Sequence, residues 1–242
     1  MFNEIDKKKK YLDSKRPLSP YTVKSLREKL LVEWTYNSNA IEGNTLTLKE
    51  TKVVLEGITV GGKTMREHLE VINHRDAILY VEEIVEKGEP LTEWQIKNLH
   101  RLILKGIDDV YAGQYRDQQV FISGALHVPP IPLLLQEKME ELITWHGGIA
   151  QELHPVERAA MLHVIFVGIH PFIDGNGRTS RLLLNLDLMK TGFPPIVIKA
   201  ENRLAYYNAL DKAHTTGDHI DFIELIKNEV NQTLDLYLSA VG

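Results

Sequence analysis

The sequence predicts an all-α chain, a helical bundle of about nine helices with one short β-hairpin. Three observations carry this: apolar residues return every three or four positions along most of the chain, capping boxes recur at helix starts, and one segment alternates with strand periodicity. In order, Val23, Leu26, Leu30 and Trp34 form one apolar face after Pro20, and Gly43 ends that helix. Thr47 with Glu50 caps a helix running to Gly57. Thr64 with Glu67 opens a long helix toward Gly88, and Thr92 with Gln95 opens one ending near Gly106. Further helices are expected over 134–146, 155–168, 178–190, 201–214 and 219–238. The exception is Gln118 to Pro130, QQVFISGALHVPP, where β-branched and apolar residues flank Ser123 and Gly124, the pattern of a short hairpin. Lys7 to Lys10 read as a solvated N-terminal arm.

Composition narrows the chemistry. The chain has 242 residues, 43% hydrophobic and 25% charged, which is enough apolar side chain for a sizeable core. Zero cysteines exclude a disulfide scaffold, a thiolate metal site and a cysteine nucleophile. The net charge of −5 lacks the global field of a non-specific nucleic-acid binder, so no nucleic-acid partner is expected. No apolar run approaches the roughly 18 residues that span a bilayer, and no signal core follows the first lysines. A cytoplasmic protein without membrane attachment is the expectation.

The informative stretch is Ile169 to Leu186, IHPFIDGNGRTSRLLLNL. A very apolar helix runs into His170, and Pro171 forces the chain out of it, setting a polar loop between two buried helices. Gly175, Asn176 and Gly177 can turn successive N–H groups inward as an anion-binding nest leading into a helix N-terminus. Arg178 and Arg181 project from the same side of that helix, against its dipole, which calls for a negative partner. A polyphosphate fits, with Asp174 as the carboxylate for a bridging Mg2+. His170 has the pKa range for proton transfer near neutrality. Taken singly, His170 also reads as a core histidine, Asp174 as a helix cap and the arginines as salt-bridge donors. Their combination reads as a phosphoryl- or nucleotidyl-transfer site, and it is neither a P-loop nor a G-x-G-x-x-G site. His154 and His163 lack ligand spacing with His170 and read as a helix-entry and a core residue.

Residues His170 to Arg181 match H-x-F-x-[DE]-G-N-G-R-x-x-R at every specified position, and the chain resembles the Fic family. From Ser38 onward it is similar to the animal Fic-type adenylyltransferases of the endoplasmic reticulum, without their membrane anchor and tetratricopeptide region. The resemblance implies an all-α Fic fold, with residues 1–60 as N-terminal helices and 61–242 as the Fic domain within one compact unit. It implies transfer of AMP from ATP to a hydroxyl side chain (Ser, Thr or Tyr) of a target protein. His170 would be the general base and Asp174 the ligand of Mg2+ or Mn2+. Gly175, Asn176 and Gly177 would form the anion hole, Arg178, Thr179, Ser180 and Arg181 would complete the nucleotide site, and Phe172 would anchor the loop. The hairpin would be the family's flap, placing Ile122, Ser123, Gly124 and Ala125 along the nucleotide and adding a target segment as a strand. Tyr206 and Tyr207 would lie near the purine, whereas His214 stands where the animal relatives have asparagine.

Ser38 and Glu42 match [ST]-x-x-x-E-[GN], which resembles the family's inhibitory motif placed before the Fic motif. There the glutamate pairs with the second arginine, here Arg181, and keeps the γ-phosphate from its productive position; it is also associated with removal of AMP from targets. A homodimer is a further implication. Gly177 argues against the death-on-curing kinase branch, whose loop carries a bulkier residue there. UTP or GTP as donor stays open, as does a non-catalytic nucleotide-binding module, which would have no use for His170.

Overall fold

The computed structural model describes residues 2–241. These form ten α-helices and three short 3-10 turns. They are α1 (Asn3–Ser14), α2 (Pro20–Ile41), α3 (Leu48–Leu55), α4 (Met65–Lys87) and α5 (Glu93–Leu104), then α6 (Leu135–Gly147), α7 (Pro155–Ile169), α8 (Asn176–Lys190), α9 (Arg203–Thr216) and α10 (Ile220–Val241). The capping boxes at Thr47, Thr64 and Thr92 are all formed, each with the reciprocal bond from the residue three positions on.

Helices α7 and α8 are the spine. Both are buried almost all round: α7 carries a near-continuous apolar run, whereas the first turns of α8 bury polar and charged side chains from Asn176 to Arg181. On one side α1, α9 and α10 close a core around Leu12, Val164, Leu188, Phe222 and Val230. On the other, α2, α4, α5 and α6 close one around Trp34, Ile96, Met139, Phe166 and Leu183. Asp187 of α8 stitches the spine to α6, accepting from Arg158 Nε at 2.9 Å with His146 Nε2 at 2.9 Å from its other oxygen. A buried carboxylate so paired resists separation of these helices, since losing either partner strands a charge.

Two expectations are corrected. Lys7 to Lys10 belong to α1 and not to a solvated arm: Phe2, Ile5 and Leu12 enter the core, while Lys8 reaches Asp235 of α10 at 2.7 Å. The hairpin over Gln119 to His127 is not formed, and no strand occurs among the described residues. The turn itself survives, with Ala125 N–H donating to Ile122 O at 3.1 Å and Gly124 at φ +81°. Its ladder does not. Pro129 and Pro130 supply no N–H, and those of Leu126 and His127 go instead to Asp211 Oδ1 of α9, at 2.8 and 3.3 Å. Gln119 closes the other side by a side-chain bond to Pro129 O at 3.0 Å.

The C-terminal half of α2 is unusual for a packed helix. Thr35, Asn37, Ser38 and Asn39 are all buried, presenting a polar face to its neighbours. Asn37 Oδ1 accepts from Ala200 N–H at 2.9 Å, and Asn39 Nδ2 donates to Thr35 O and Glu70 O. These bonds position the end of α2, and hence Glu42, beside the start of α8.

Candidate active site

The loop from His170 to Gly175 is held by three side chains that lock its backbone. His170 ends α7 in the left-handed region (φ +50°), the one non-glycine residue with positive φ among those described. Such a conformation persists only when its surroundings hold it. Arg116 does so: it is buried, its Nε donates to His170 O and its backbone N–H to Pro171 O, both at 2.9 Å. Its remaining nitrogens reach Gln118 O and Pro130 O, so one guanidinium ties the loop to the flap segment. Asn176 closes the loop on itself, accepting from Phe172 N–H at 3.0 Å and donating to Phe172 O at 2.8 Å. Its side chain therefore shapes the nest and is not free to bind an anion.

The third side chain is His100 of α5. Nδ1 accepts from Gly113 N–H at 2.9 Å, which leaves Nε2 protonated to donate to Asp174 O at 2.8 Å. The ring stacks on Phe172, centroids 3.6 Å apart and planes within 1°. Burial lowers its pKa to about 4, which keeps it neutral and this tautomer in place. A Cβ at Gly175 would approach the same ring within 3.2 Å at φ +78°, so glycine is required there. Phe172 is fully buried against His100, Phe166 and Tyr115. Phe172→Ala is expected to cost about 3–5 kcal/mol of stability, read as a lower urea midpoint at unchanged slope.

The chemistry-bearing side chains converge around this frame. His170 Nδ1 lies 3.3 Å from Val167 O; a carbonyl only accepts, so Nδ1 carries the proton and Nε2 offers its lone pair. Burial lowers the pKa of His170 to about 4, partly countered by the Val167 bond. Asp174 is about half exposed; burial raises its pKa, but Arg178, the Gly175 N–H and Arg66 outweigh this and leave it lowered. Arg178 is buried and touches Asp174 Oδ1 at 3.3 Å and Glu70 Oε1 at 3.4 Å, while its Nε has no protein partner.

Arg181 is the buried hub. Nε donates to Ser38 Oγ at 3.0 Å, Nη2 to Ser38 O at 2.8 Å and to Glu42 Oε1 at 2.7 Å, and Nη1 to Tyr206 OH at 3.3 Å. Tyr206 is wholly buried, and its hydroxyl shares a hydrogen bond with His163 Nε2 at 2.9 Å. Tyr207 is partly exposed and donates to Ile41 O at 3.2 Å, fastening the end of α2. Thr179 and Ser180 point inward and are fully buried, with Ser180 Oγ donating to Gly177 O at 2.8 Å. Glu42 lies directly over Gly177: a Cβ there would collide with Glu42 Oε1. Its carboxylate thus covers the glycine-rich turn. Ile122 and Ala125 are half-buried, while Ser123 and Gly124 are exposed at the tip of the flap segment.

Arg116, His100, Glu70 and Arg66 were not singled out from sequence. They lie far from the motif along the chain, and no local spacing marks them.

A family model described as Fic/DOC matches residues 90–188. The chain is 32% identical to a Fic domain containing signaling protein from Bacteroides thetaiotaomicron, with a TM-score of 0.90 over 98% of this chain and 96% of that one. Fic-1 from C. elegans superposes with a TM-score of 0.88 at 31% identity, over 98% of this chain and 71% of that one. A Nematostella vectensis protein named protein adenylyltransferase Fic is 40% identical over 99% of this chain and 56% of its own length. The chain belongs to the Fic family. It spans about half the length of the curated relatives it matches. No helix among the described residues is long and apolar enough to cross a membrane.

Proposed function

We propose that this chain is a protein adenylyltransferase, moving AMP from ATP to a hydroxyl side chain of a target protein, and that Glu42 holds it in a restrained state. The observation that carries the reading is the convergence of His170, Asp174, the Gly175–Gly177 turn, Arg178 and Arg181 at the start of α8, with Glu42 seated on Arg181. The turn from Gly175 into the α8 N-terminus supplies the Asn176 and Gly177 amides and a positive dipole to the phosphates. Arg178 and Arg181 supply charge. The target hydroxyl oxygen attacks the α-phosphorus, its bond to the bridging oxygen of the β-phosphate breaks, and pyrophosphate leaves while His170 Nε2 takes the hydroxyl proton. The Nδ1 bond to Val167 O keeps the proton on Nδ1 and that lone pair on Nε2.

A divalent cation, Mg2+ or Mn2+, fits this site through Asp174, whose half-exposed carboxylate faces the arginines that would meet the phosphates. No group of three or more His, Cys, Asp or Glu side chains that could hold a metal occurs among the described residues, which suits a cation held by one carboxylate and phosphate oxygens. When bound, it would neutralise phosphate charge. Asp174→Ala is expected to abolish the Mg2+-dependent part of ATP binding while preserving the fold, which calorimetry with and without Mg2+ measures.

Phe121, Leu126 and Val128 of the flap segment are exposed beside the site, offering apolar anchors to a target protein. The test is mass spectrometry of the protein and of lysate proteins after incubation with ATP and Mg2+. AMP adducts from wild type or from Glu42→Gly support the reading, and their absence from both rejects it.

A further inference from the structure

Arg66 stands in the first turn of α4, two positions after the Thr64 cap, where a cation faces the positive pole of the helix dipole. That unfavourable placement is offset by two carboxylates: Nη2 lies 2.7 Å from Asp174 Oδ2, and Nε 3.2 Å from Glu70 Oε1. Arg178 touches the same pair from the other side, at 3.3 Å from Asp174 Oδ1 and 3.4 Å from Glu70 Oε1. The four side chains close a ring of alternating charge. Arg178 is buried in this ring, whereas the Arg66 side chain is 58% exposed, so Arg66 is the member that water takes up at least cost.

Asp174 Oδ1 is already committed to the Gly175 N–H, at 2.5 Å, and to Arg178. Oδ2 is the oxygen left for an incoming cation, and Arg66 holds it. We propose that Arg66 is a cation placeholder: a divalent cation arriving with the nucleotide must displace its guanidinium from Asp174 Oδ2, so Arg66 sets the cation concentration that the site requires. This rests on Asp174 being the metal ligand, as proposed above. Displaced, Arg66 keeps Glu70 as a partner, so the exchange strands no charge. Glu70 in turn accepts from Asn44 Nδ2 at 2.9 Å, two residues past Glu42, so the ring is braced against the segment that restrains the site.

Neutralising Arg66 removes both the competing bond and the repulsion between a guanidinium and a dication. The half-saturating Mg2+ concentration for ATP binding should fall roughly three- to tenfold. The experiment is ATP calorimetry across a Mg2+ series and in EDTA, on Glu42→Gly and on the same chain carrying Arg66→Gln, Arg66→Lys or Asp174→Asn. Arg66→Gln should shift the Mg2+ requirement downward and leave ATP affinity in EDTA unchanged, and Arg66→Lys, which keeps the charge, should stay close to the parent. An unshifted requirement in Arg66→Gln overturns the placeholder, and so does weaker ATP binding in EDTA, which would make Arg66 a phosphate ligand. Asp174→Asn separates the two levels. If Mg2+ dependence survives in Asp174→Asn, the metal reading itself fails; if it is lost there while Arg66→Gln does not move, the placeholder alone fails.

Discussion

Replacing His170 with alanine is expected to lower AMP transfer by about 10²- to 10⁴-fold while leaving ATP binding largely intact. In the proposed mechanism the base acts on the incoming hydroxyl, and the arginines proposed to meet the phosphates do not depend on its ring: Arg178 leans on Glu70 and Asp174, and Arg181 on Ser38, Tyr206 and Glu42. Loop geometry should survive, because Arg116 holds the backbone carbonyl of residue 170 and not its imidazole. The pH profile adds a second reading. Burial lowers the His170 pKa to about 4, so the ring is neutral and able to accept a proton at every pH above that value. As pH falls through about 4 the ring becomes protonated and transfer declines. In the Glu42→Gly background, kcat/KM should therefore show no limb from this group between roughly pH 5 and 8. An acid limb near 6.5, absent from a variant with an intact fold and no imidazole at 170, would contradict the buried, neutral state of the ring.

The motif and the Ser38–Glu42 stretch stand out in the sequence because their patterns are local. Residues 170–181 bring proline, glycines, carboxylate and arginines to one helix junction within a dozen positions, and the stretch from Ser38 to Glu42 is shorter still. What could not be read is the support. His100 fixes the Asp174 carbonyl from α5, Arg116 fixes the His170 carbonyl from the loop after it, and Glu70 with Arg66 grips Asp174 and Arg178 from α4. Each contact closes a long stretch of chain, so no periodicity announces it. Tyr206 shows the same limit in another form. Its position suggests a purine neighbour, yet its hydroxyl is spent inside the protein between Arg181 and His163.

The helices were largely legible for an opposite reason: caps and apolar spacing are local properties, and all three capping boxes read from sequence are formed. Helix α1 was hidden by its lysines. Ile5 and Leu12, with Phe2 just before the helix, are too sparse to stand out beside four consecutive cations, and they gain their value only in the core they share with α7 and α10. The flap segment was misread because alternation records which side chains face inward and not whether a partner strand accepts the backbone. Here Asp211, a single side chain from α9, takes the two N–H groups that a ladder would have used.

Glu42→Gly is expected to raise AMP transfer, self-modification included, by roughly ten- to a hundredfold. Glu42 caps the C-terminal end of α2, where its charge meets the negative pole of the helix dipole. The placement is tolerated because Arg181 answers it at 2.7 Å, and α2 is fastened there by Ser38 on Arg181 and by Tyr207 on Ile41 O. Arg181 cannot give a phosphate the same nitrogen while it donates to Glu42. A carboxylate over Gly177 also repels any anion that approaches the turn. A charge-assisted hydrogen bond of this kind contributes about 1.5–3 kcal/mol, which as a bias between restrained and open states corresponds to the stated factor. Without ATP the variant should melt lower than wild type, since buried Arg181 loses its counter-charge, and ATP with Mg2+ should raise its melting temperature by more. Arg181→Ala should not reproduce the gain, because it removes the restraint and a phosphate ligand together. The measurement is a side-by-side assay with labelled ATP at equal enzyme and Mg2+. Equal activity of Glu42→Gly and wild type, with ATP binding shown in both, would mean that the Glu42–Arg181 pair is a structural tie and not a restraint, whatever the outcome at His170.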